Sequence, residues 1–380
     1  MPTALDTSIN YIGPFVDQAD QKIWIAALRS ALAEMGDPMS RFGAIQNLGF
    51  SLSVNASALT IALKDRALAN PSADSPVSAS FRNVTPATGD SSVLNLAAAH
   101  SLVVSSGSTL GTRNGIPFRL WFVAFNDAGT WRLGVINCVT TVAGAGSGSD
   151  VTKIYPLSAW GIDSSTAEGG AGAADSAQTF YTGTAVSAKA YVVLGYATWE
   201  TGLATAGTWS SGPTRVQPFG PGVPLPDQSI QKQRVVLGTV VTGNAAVLPA
   251  DNSIPQSGEG NQLMSTQGIT PSSAANVLAV KHQGNYSNDG AAAEYACSIF
   301  QDAVANALAT SFGTSVAANT PFSTSVGLVM LAGTTSTTTF KARIGNAANN
   351  TFAINGIATG AVQRYGGVLA STLEIEEVMG

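Results

Sequence analysis

Short segments in which apolar and polar residues alternate follow one another along most of the chain. Residues 50–54 alternate strictly, and residues 59–64 do so again. Residues 118–125 and 131–136 flank the loop Asn126-Asp127-Ala128-Gly129, which indicates a β-hairpin. A period of two is typical of strands that bury one face. Short strands separated by polar turns predict a sandwich or a barrel rather than β-α-β units.

The last such segment lies almost at the carboxyl end. In residues 372–378, Leu373 and Ile375 share one face and Glu374 and Glu376 share the other. A disordered tail has no buried face and so gives no reason for apolar and acidic residues to alternate. We therefore expect the final strand to lie inside a sheet. Further upstream, residues 325–332 and 337–344 alternate on either side of a short polar turn and predict a second hairpin.

The amino-terminal segment is the one region with helical spacing. Apolar residues recur at Trp24, Leu28 and Met35, Asp20 is a suitable N-cap, and Gly36 supplies a stop. This helix could pack on its own domain, or it could dock the chain onto a partner. We therefore assign residues 1–45 as an attachment segment, with Trp24, Leu28 and Met35 as its candidate contact residues.

A proline- and glycine-rich stretch at residues 218–227 predicts a linker. It would separate a first β domain with glycine-rich loops, residues 46–217, from a second β domain, residues 228–380. The predicted fold class is mainly β: a short N-terminal helical segment followed by two antiparallel β-sandwich domains.

Composition narrows the function classes. Charged residues make up 11% of the chain, against about 25% in ordinary domains. The net charge is −5 and Lys and Arg are not clustered, so no nucleic-acid partner is predicted. Apolar runs stop well short of a membrane-spanning helix, so no membrane partner is predicted. A sparsely charged surface instead suits a chain that packs against copies of itself.

Residues that carry catalysis are few and scattered. The chain has two histidines and two cysteines, His100, His282, Cys138 and Cys297, and none lies in a nucleophile or metal-ligand motif. The loop carboxylates show no spacing that pairs them for glycoside hydrolysis: Asp163, Glu168, Asp175, Asp251 and Glu259. We predict no enzyme, no catalytic residue, no cofactor and no metal ligand.

Two weaker alternatives stay open. A loop around Asn126-Asp127 or residues 285–289 has oxygen ligands that could suit a cation. Tryptophans could form a carbohydrate platform, although aromatic residues in strands are more often core: Trp121, Trp131, Trp160, Trp199 and Trp209.

Several stretches resemble tailed-phage fibre proteins, notably residues 77–90, 102–111, 254–260 and the Gly366-Gly367 turn before the last strand. The resemblance covers most of residues 50–378. It implies a jelly-roll-like carboxy-terminal domain and a homotrimer in the virion, assembled in the bacterial host cytoplasm. The implied partners are other phage tail or head proteins and host cell-surface polysaccharide.

The function that the resemblance implies is a tail fibre or similar attachment protein that contributes to host recognition. A head fibre, a capsid decoration protein or a tail adaptor without receptor contact is the alternative within the virion class. A polysaccharide-degrading tailspike is the enzymatic alternative. Receptor-contacting residues are not indicated by the sequence.

Overall fold

The computed structural model describes residues 45–380, apart from residues 86, 88, 145–147 and 245. The predicted helix with Trp24, Leu28 and Met35 lies outside the described residues, so both the helix and its attachment role stay predictions.

Strands account for nearly all the regular structure in the described part of the chain. The strands of the first half are β1 Ile45–Gln46, β2 Gly49–Asn55, β3 Ala58–Lys64, β4 Val77–Arg82, β5 Ser91–Leu96, β6 His100–Val104, β7 Phe118–Asp127, β8 Thr130–Ile136, β9 Val139–Ala143, β10 Ser149–Ile154, β11 Trp160–Asp163, β12 Thr166–Ala167, β13 Tyr181–Thr182, β14 Lys189–Trp199 and β15 Arg215–Pro218. Those of the second half are β16 Ser229–Leu237, β17 Val241–Gly243, β18 Gln267–Ile269, β19 Val277–Asn288, β20 Ala293–Gln301, β21 Ala309–Ser315, β22 Phe322–Leu331, β23 Thr338–Gly345, β24 Phe352–Ile354, β25 Gly356–Ile357, β26 Val362–Gln363 and β27 Ser371–Val378.

The prediction of a mainly β protein is confirmed. The strands pair into several antiparallel sheets, with β12 and β13 as a short parallel exception. Within the described residues, one 3-10 turn at Tyr365–Gly367 is the whole helical content. No helix there has the length and apolar character needed to cross a membrane.

The first half is built around a seven-stranded sheet of order β11-β14-β7-β8-β13-β12, with β15 beside β14. The predicted hairpin is confirmed as β7 and β8, in which Asp127 lies opposite Thr130. One face of this sheet packs with the small sheets β1-β4-β5 and β2-β3-β6. The other face holds a second apolar cluster. Burial on both faces explains why β7 and β14 read as nearly continuous apolar runs.

The second half contains two facing sheets. The larger runs β16-β27-β19-β22-β10-β9, with β17 and β24 attached, and the smaller runs β18-β23-β20-β21. Apolar side chains from both sheets meet in one core, for example Val280 and Ile375 from the larger and Ile299 and Phe340 from the smaller. The inner faces of the two sheets therefore share this core.

The predicted final strand is confirmed. β27 lies between β16 and β19, with Ile375 opposite Gln233 on one side and Val280 on the other. Leu373 and Ile375 are fully buried. Lys232 approaches Glu374 at 3.3 Å and Glu376 at 3.4 Å on the opposite, partly exposed face.

The second predicted hairpin is wrong. β22 pairs with β19 and β10, whereas β23 pairs with β18 and β20, so the two segments belong to different sheets. The turn between them crosses from the larger sheet to the smaller one. Both strands point alternate apolar residues into the same core, so their alternation does not reveal which strands they pair with.

The two halves share structure on both sides of the predicted linker. The β9–β10 hairpin belongs to the first half of the sequence but joins β22, with Asp150 opposite Met330. Phe219 and Leu225, within the predicted linker, pack against the cluster that contains Trp121. The domain boundary stays a prediction, while these contacts join the regions on either side of it.

A buried arginine also connects the halves. Arg119 of β7 is 3% exposed and donates to Thr198 Oγ1 at 3.1 Å, Asn276 Oδ1 at 2.9 Å and the Gly380 main-chain oxygen at 2.9 Å. Its guanidinium lies 4.7 Å from the ring centre of Tyr196. Burial lowers the pKa of Arg119 to about 10, which leaves it charged at neutral pH.

Candidate functional site

The tryptophans considered as a carbohydrate platform are mostly core residues. Trp121, Trp199 and Trp209 are fully buried, and Trp131 is 4% exposed. Trp160 is half-buried, with an indole nitrogen that has no partner. The structure therefore supports the core interpretation for four of the five tryptophans.

Both histidines occupy structural positions. His282 is fully buried, with Nδ1 2.9 Å from the Thr372 carbonyl and Nε2 2.7 Å from Tyr286 Oη. A carbonyl can only accept, so Nδ1 carries the proton and Nε2 accepts from the tyrosine. Burial lowers the pKa of His282 to about 4. Nε2 of the half-buried His100 accepts from the Leu133 amide at 3.3 Å.

The two cysteines are free and buried. Burial raises the pKa of the Cys138 thiol, and it raises the pKa of Cys297 to about 12. A thiol in this state is a weak nucleophile at neutral pH, which fits small apolar packing roles.

Loop carboxylates of the first half bind donors in their own surroundings. Asp163 Oδ2 accepts from Tyr155 Oη at 2.6 Å. Glu168 accepts from the Ser105 amide at 3.1 Å and the Ser105 hydroxyl at 2.8 Å. These bonds fasten the glycine-rich loop to neighbouring turns. Asp175 accepts from the Ser108 hydroxyl and does the same.

The two loops considered for a cation are also internally bonded. Asp127 pairs with Arg132 at 3.2 Å and with Lys189 at 3.3 Å. Asp289 accepts from the Thr351 amide at 2.8 Å. Among the residues that the structure describes, no three His, Cys, Asp or Glu side chains are grouped so that they could hold a metal ion.

A large cleft lies between the two halves, and several of its polar groups hydrogen-bond one another. It has a volume of about 500 Å³ and is lined by residues that include Gln301, Asp302 and Thr338. Gln301 Nε2 donates to Thr338 Oγ1 at 2.8 Å, and Thr338 Oγ1 donates to Asp302 Oδ2 at 2.7 Å. Polar groups that already bond one another offer a ligand little.

A second cleft of about 410 Å³ lies on the outer face of the β18-β23-β20-β21 sheet. We call it the Phe312 groove. The lining residues that matter here are Asp251, Ser253, Glu294, Thr310, Phe312 and Asn346. Strands β20 and β21 contribute one side, and the long loop at residues 246–262 contributes the other.

Strand register places the aromatic ring on the surface. Phe312 of β21 lies opposite Ala296 of β20, and Thr310 lies opposite Ser298, so these residues share the outer face. Phe312 is 83% exposed. Tyr295 alternates to the inner face, where its ring stacks on Phe322 with centres 4.1 Å apart.

The long loop is held tightly against β23. The Asn261 amide donates to the Ile344 carbonyl at 2.6 Å, and Arg343 Nε donates to the Glu259 carbonyl at 2.6 Å. A Cβ atom at Gly345 would lie 2.9 Å from both Gly260 Cα and Leu248 Cβ. Glycine at position 345 therefore permits the close approach that forms this wall of the groove.

The amide of Asn346 is the unusual polar group of the groove. Asn346 is 2% exposed, and neither Nδ2 nor Oδ1 has a hydrogen-bond partner. A buried unpaired polar group costs about 1–3 kcal/mol, so its retention calls for an explanation. No Lys, Arg or His is among the described residues that line the groove.

Sequence reasoning missed this site. Its members lie in four separate stretches, from Asp251 to Asn346, which only the folded chain brings together. The sequence does contain one indication. Phe312 alternates in step with Thr310 and Thr314, so a large apolar residue lies on the otherwise polar face of its strand.

No protein-family model and no curated protein matches the chain. Among solved structures, the insecticidal delta-endotoxin Cry8Ea1 from Bacillus thuringiensis is similar with 7% sequence identity and a TM-score of 0.20. The match covers 88% of this chain and 52% of the toxin, so the chain spans about half the length of that structure. A likeness this small carries no argument about fold or function.

Proposed function

We propose that the protein is a structural component of a tailed bacteriophage particle, a homotrimeric fibre that contributes to host attachment. The observation that carries the proposal is the strand order of the second half. Numbered in chain order, the eight strands β16, β18, β19, β20, β21, β22, β23 and β27 run 1-8-3-6 in one sheet and 2-7-4-5 in the other. This is the order of a jelly roll, an architecture common in viral capsid and lectin domains.

The same proposal includes the architecture of the two β domains. Residues 228–380 would form the jelly-roll-like domain and residues 46–217 a further β-sandwich. The resemblance of residues 254–260 and Gly366-Gly367 to phage fibre proteins supports this assignment, because both stretches fall within the proposed jelly roll.

The scarcity of charge supports the trimer. With 11% charged residues, strand faces can pack around a three-fold axis with few side chains to desolvate. Trp24, Leu28 and Met35 would contact other tail or head proteins of the particle. The Phe312 groove, an open cleft with an unpartnered amide, favours receptor contact over a decoration role.

The assembly state is tested with the purified full-length protein. Equilibrium sedimentation should give three times the chain mass of 38.6 kDa. A monodisperse monomer would overturn the trimer.

The location is tested on particles from lysed host cells. Antibodies raised against the protein should label a fibre in electron micrographs. Deletion of residues 1–45 should abolish this labelling. The purified truncated protein should keep the circular-dichroism spectrum of a β protein. Unlabelled particles would overturn the virion assignment.

A further inference from the structure

We propose that the Phe312 groove binds a neutral saccharide, an inference that rests on the proposed attachment function and names the ligand of its contact site. Three features of the groove match such a ligand: the unpartnered amide, the exposed aromatic face and the negative charge around them.

The amide of Asn346 calls for a ligand that can both donate and accept hydrogen bonds. Nδ2 needs an acceptor and Oδ1 needs a donor, and both atoms lack one. A hydroxyl group can act in either role, so one sugar ring with neighbouring hydroxyls satisfies both atoms. An ammonium group only donates and a carboxylate only accepts, so each would leave one atom of the amide unpaired.

Phe312 supplies the apolar contact. Its side chain is 83% exposed beside the groove. The C–H face of a pyranose ring can cover a phenyl face and remove its apolar surface from water. A ligand that is apolar on one face and hydroxylated at its edges matches this arrangement.

Charge excludes acidic saccharides. Asp251 and Glu294 both line the groove, and no cationic side chain lines its described part. Carboxylates accept hydrogen bonds from neutral hydroxyls but repel uronic or sialic acids. The Ser253 hydroxyl already donates to Asp251 Oδ1 at 2.5 Å, and the Thr310 hydroxyl lies 3.0 Å from the Ser298 hydroxyl. The unused hydrogen-bonding capacity is therefore that of the Asn346 amide.

Saturation-transfer NMR on the full-length protein tests the ligand class. The neutral probes are oligosaccharides of glucose, galactose, mannose, rhamnose and N-acetylhexosamines. Polygalacturonate and sialyl-lactose are the anionic probes, and spermidine is the cationic probe. At least one neutral oligosaccharide should bind with a millimolar dissociation constant, and the charged probes should not. Failure of every neutral probe, or tighter binding of a charged one, would overturn the proposal.

Variants locate the binding. Phe312→Ala should weaken binding about tenfold, corresponding to about 1.4 kcal/mol. Tyr365→Ala, which truncates an aromatic residue that is 77% exposed outside the groove, should leave binding unchanged. Equal effects of these two changes would contradict the site.

Asn346→Ala separates binding from folding. This change should abolish binding, yet urea unfolding should show stability equal to or above that of the parent, since the lost amide has no partner. Retained binding would remove Asn346 from the site. Gly345→Ala should also weaken binding by displacing the loop, whereas Gly258→Ala, in open space of the same loop, should not.

The outcomes distinguish this inference from the proposed function. Saccharide binding without virion labelling would support the groove and reject the fibre assignment. Labelled fibres that bind no neutral saccharide would support the fibre and reject the groove.

Discussion

At the scale of the residue, the buried polar side chains do most to define the structure. His282, Arg119 and Asn346 are each at most 3% exposed, but they differ in how they are satisfied. Both ring nitrogens of His282 have close partners, and Nε and Nη1 of Arg119 donate to buried acceptors, whereas the amide of Asn346 has no partner. Satisfied groups of this kind stabilise a unique packing, and the unsatisfied one is the candidate for ligand binding.

His282 predicts a pH dependence of stability. Its pKa falls from 6.5 to about 4 on folding. Between these two pH values the imidazole is protonated in the unfolded chain and neutral in the folded chain. Stability is therefore fully present above pH 6.5 and is lost as the pH falls toward 4, by about 3 kcal/mol. Urea unfolding at pH 7 and at pH 4.5 measures this loss.

The control for this slope is the other histidine. His282→Gln should flatten the pH dependence between these values, while His100→Gln, at a half-buried site, should keep most of it. An unchanged slope in His282→Gln would show that another group titrates. Burial raises the pKa of Asp127, but the contacts with Arg132 and Lys189 together lower it by more, so the stability that this carboxylate contributes is lost only at lower pH.

At the scale of the element, β27 shows how far alternation can be trusted. It lies between β16 and β19, and buried residues on one face alternate with half-buried residues on the other. Alternation located this strand and the β7–β8 hairpin, because in each case the pattern and the adjacent turn agreed. It failed for β22 and β23, because a period of two reports which face is buried and not which strand is the neighbour.

Neighbouring residues of β27 should differ sharply in their contribution to stability. Ile375→Ala removes a fully buried side chain from the core between the two facing sheets and should cost about 2–5 kcal/mol. Glu376→Ala removes only a partly exposed contact with Lys232 and should cost less than about 1 kcal/mol. Urea unfolding measures both, and equal losses would contradict the register of the strand.

At the scale of the whole molecule, the polar contacts between the halves matter most. Arg119 reaches Asn276, and Asn276 Nδ2 donates to the buried carboxylate of Glu377 at 2.5 Å. Glu377 also accepts from Ser272, so one network joins β7, β27 and the segment before β19. None of these four residues stands out in the sequence, since each is a polar residue that belongs to no motif.

Replacing this arginine should destabilise the whole protein. Arg119→Met keeps the apolar stem but leaves buried acceptors on Asn276 and Gly380 without their donor, at about 3–5 kcal/mol. Arg215→Met, at an exposed position of β15, is the matched control and should change stability by less than about 0.5 kcal/mol. Both free energies of unfolding come from urea titrations, and a loss confined to the first half would contradict the bridging role.

The fold was more predictable than the site. Strand content, one hairpin and the last strand follow from local patterns that any sheet requires. The Phe312 groove depends on where the loop at residues 246–262 crosses β23, and the close approach at Gly345 that sets this crossing has no local signature. Contacts between segments distant in sequence are fixed by the packed core, and a single sequence does not display them.

The β9–β10 hairpin has a consequence for the order of synthesis. Its partner, β22, lies far downstream, with Asp150 opposite Met330. During translation at about 5–20 residues per second, the hairpin must wait many seconds with its outer edge unpaired before the strand that covers it has been made. A nascent chain is therefore open to wrong edge-to-edge pairing in that interval, and pairing over so long a separation is intrinsically slow. Once β22 has been synthesised and has paired with β10, a strand of the second half covers this edge of the first half.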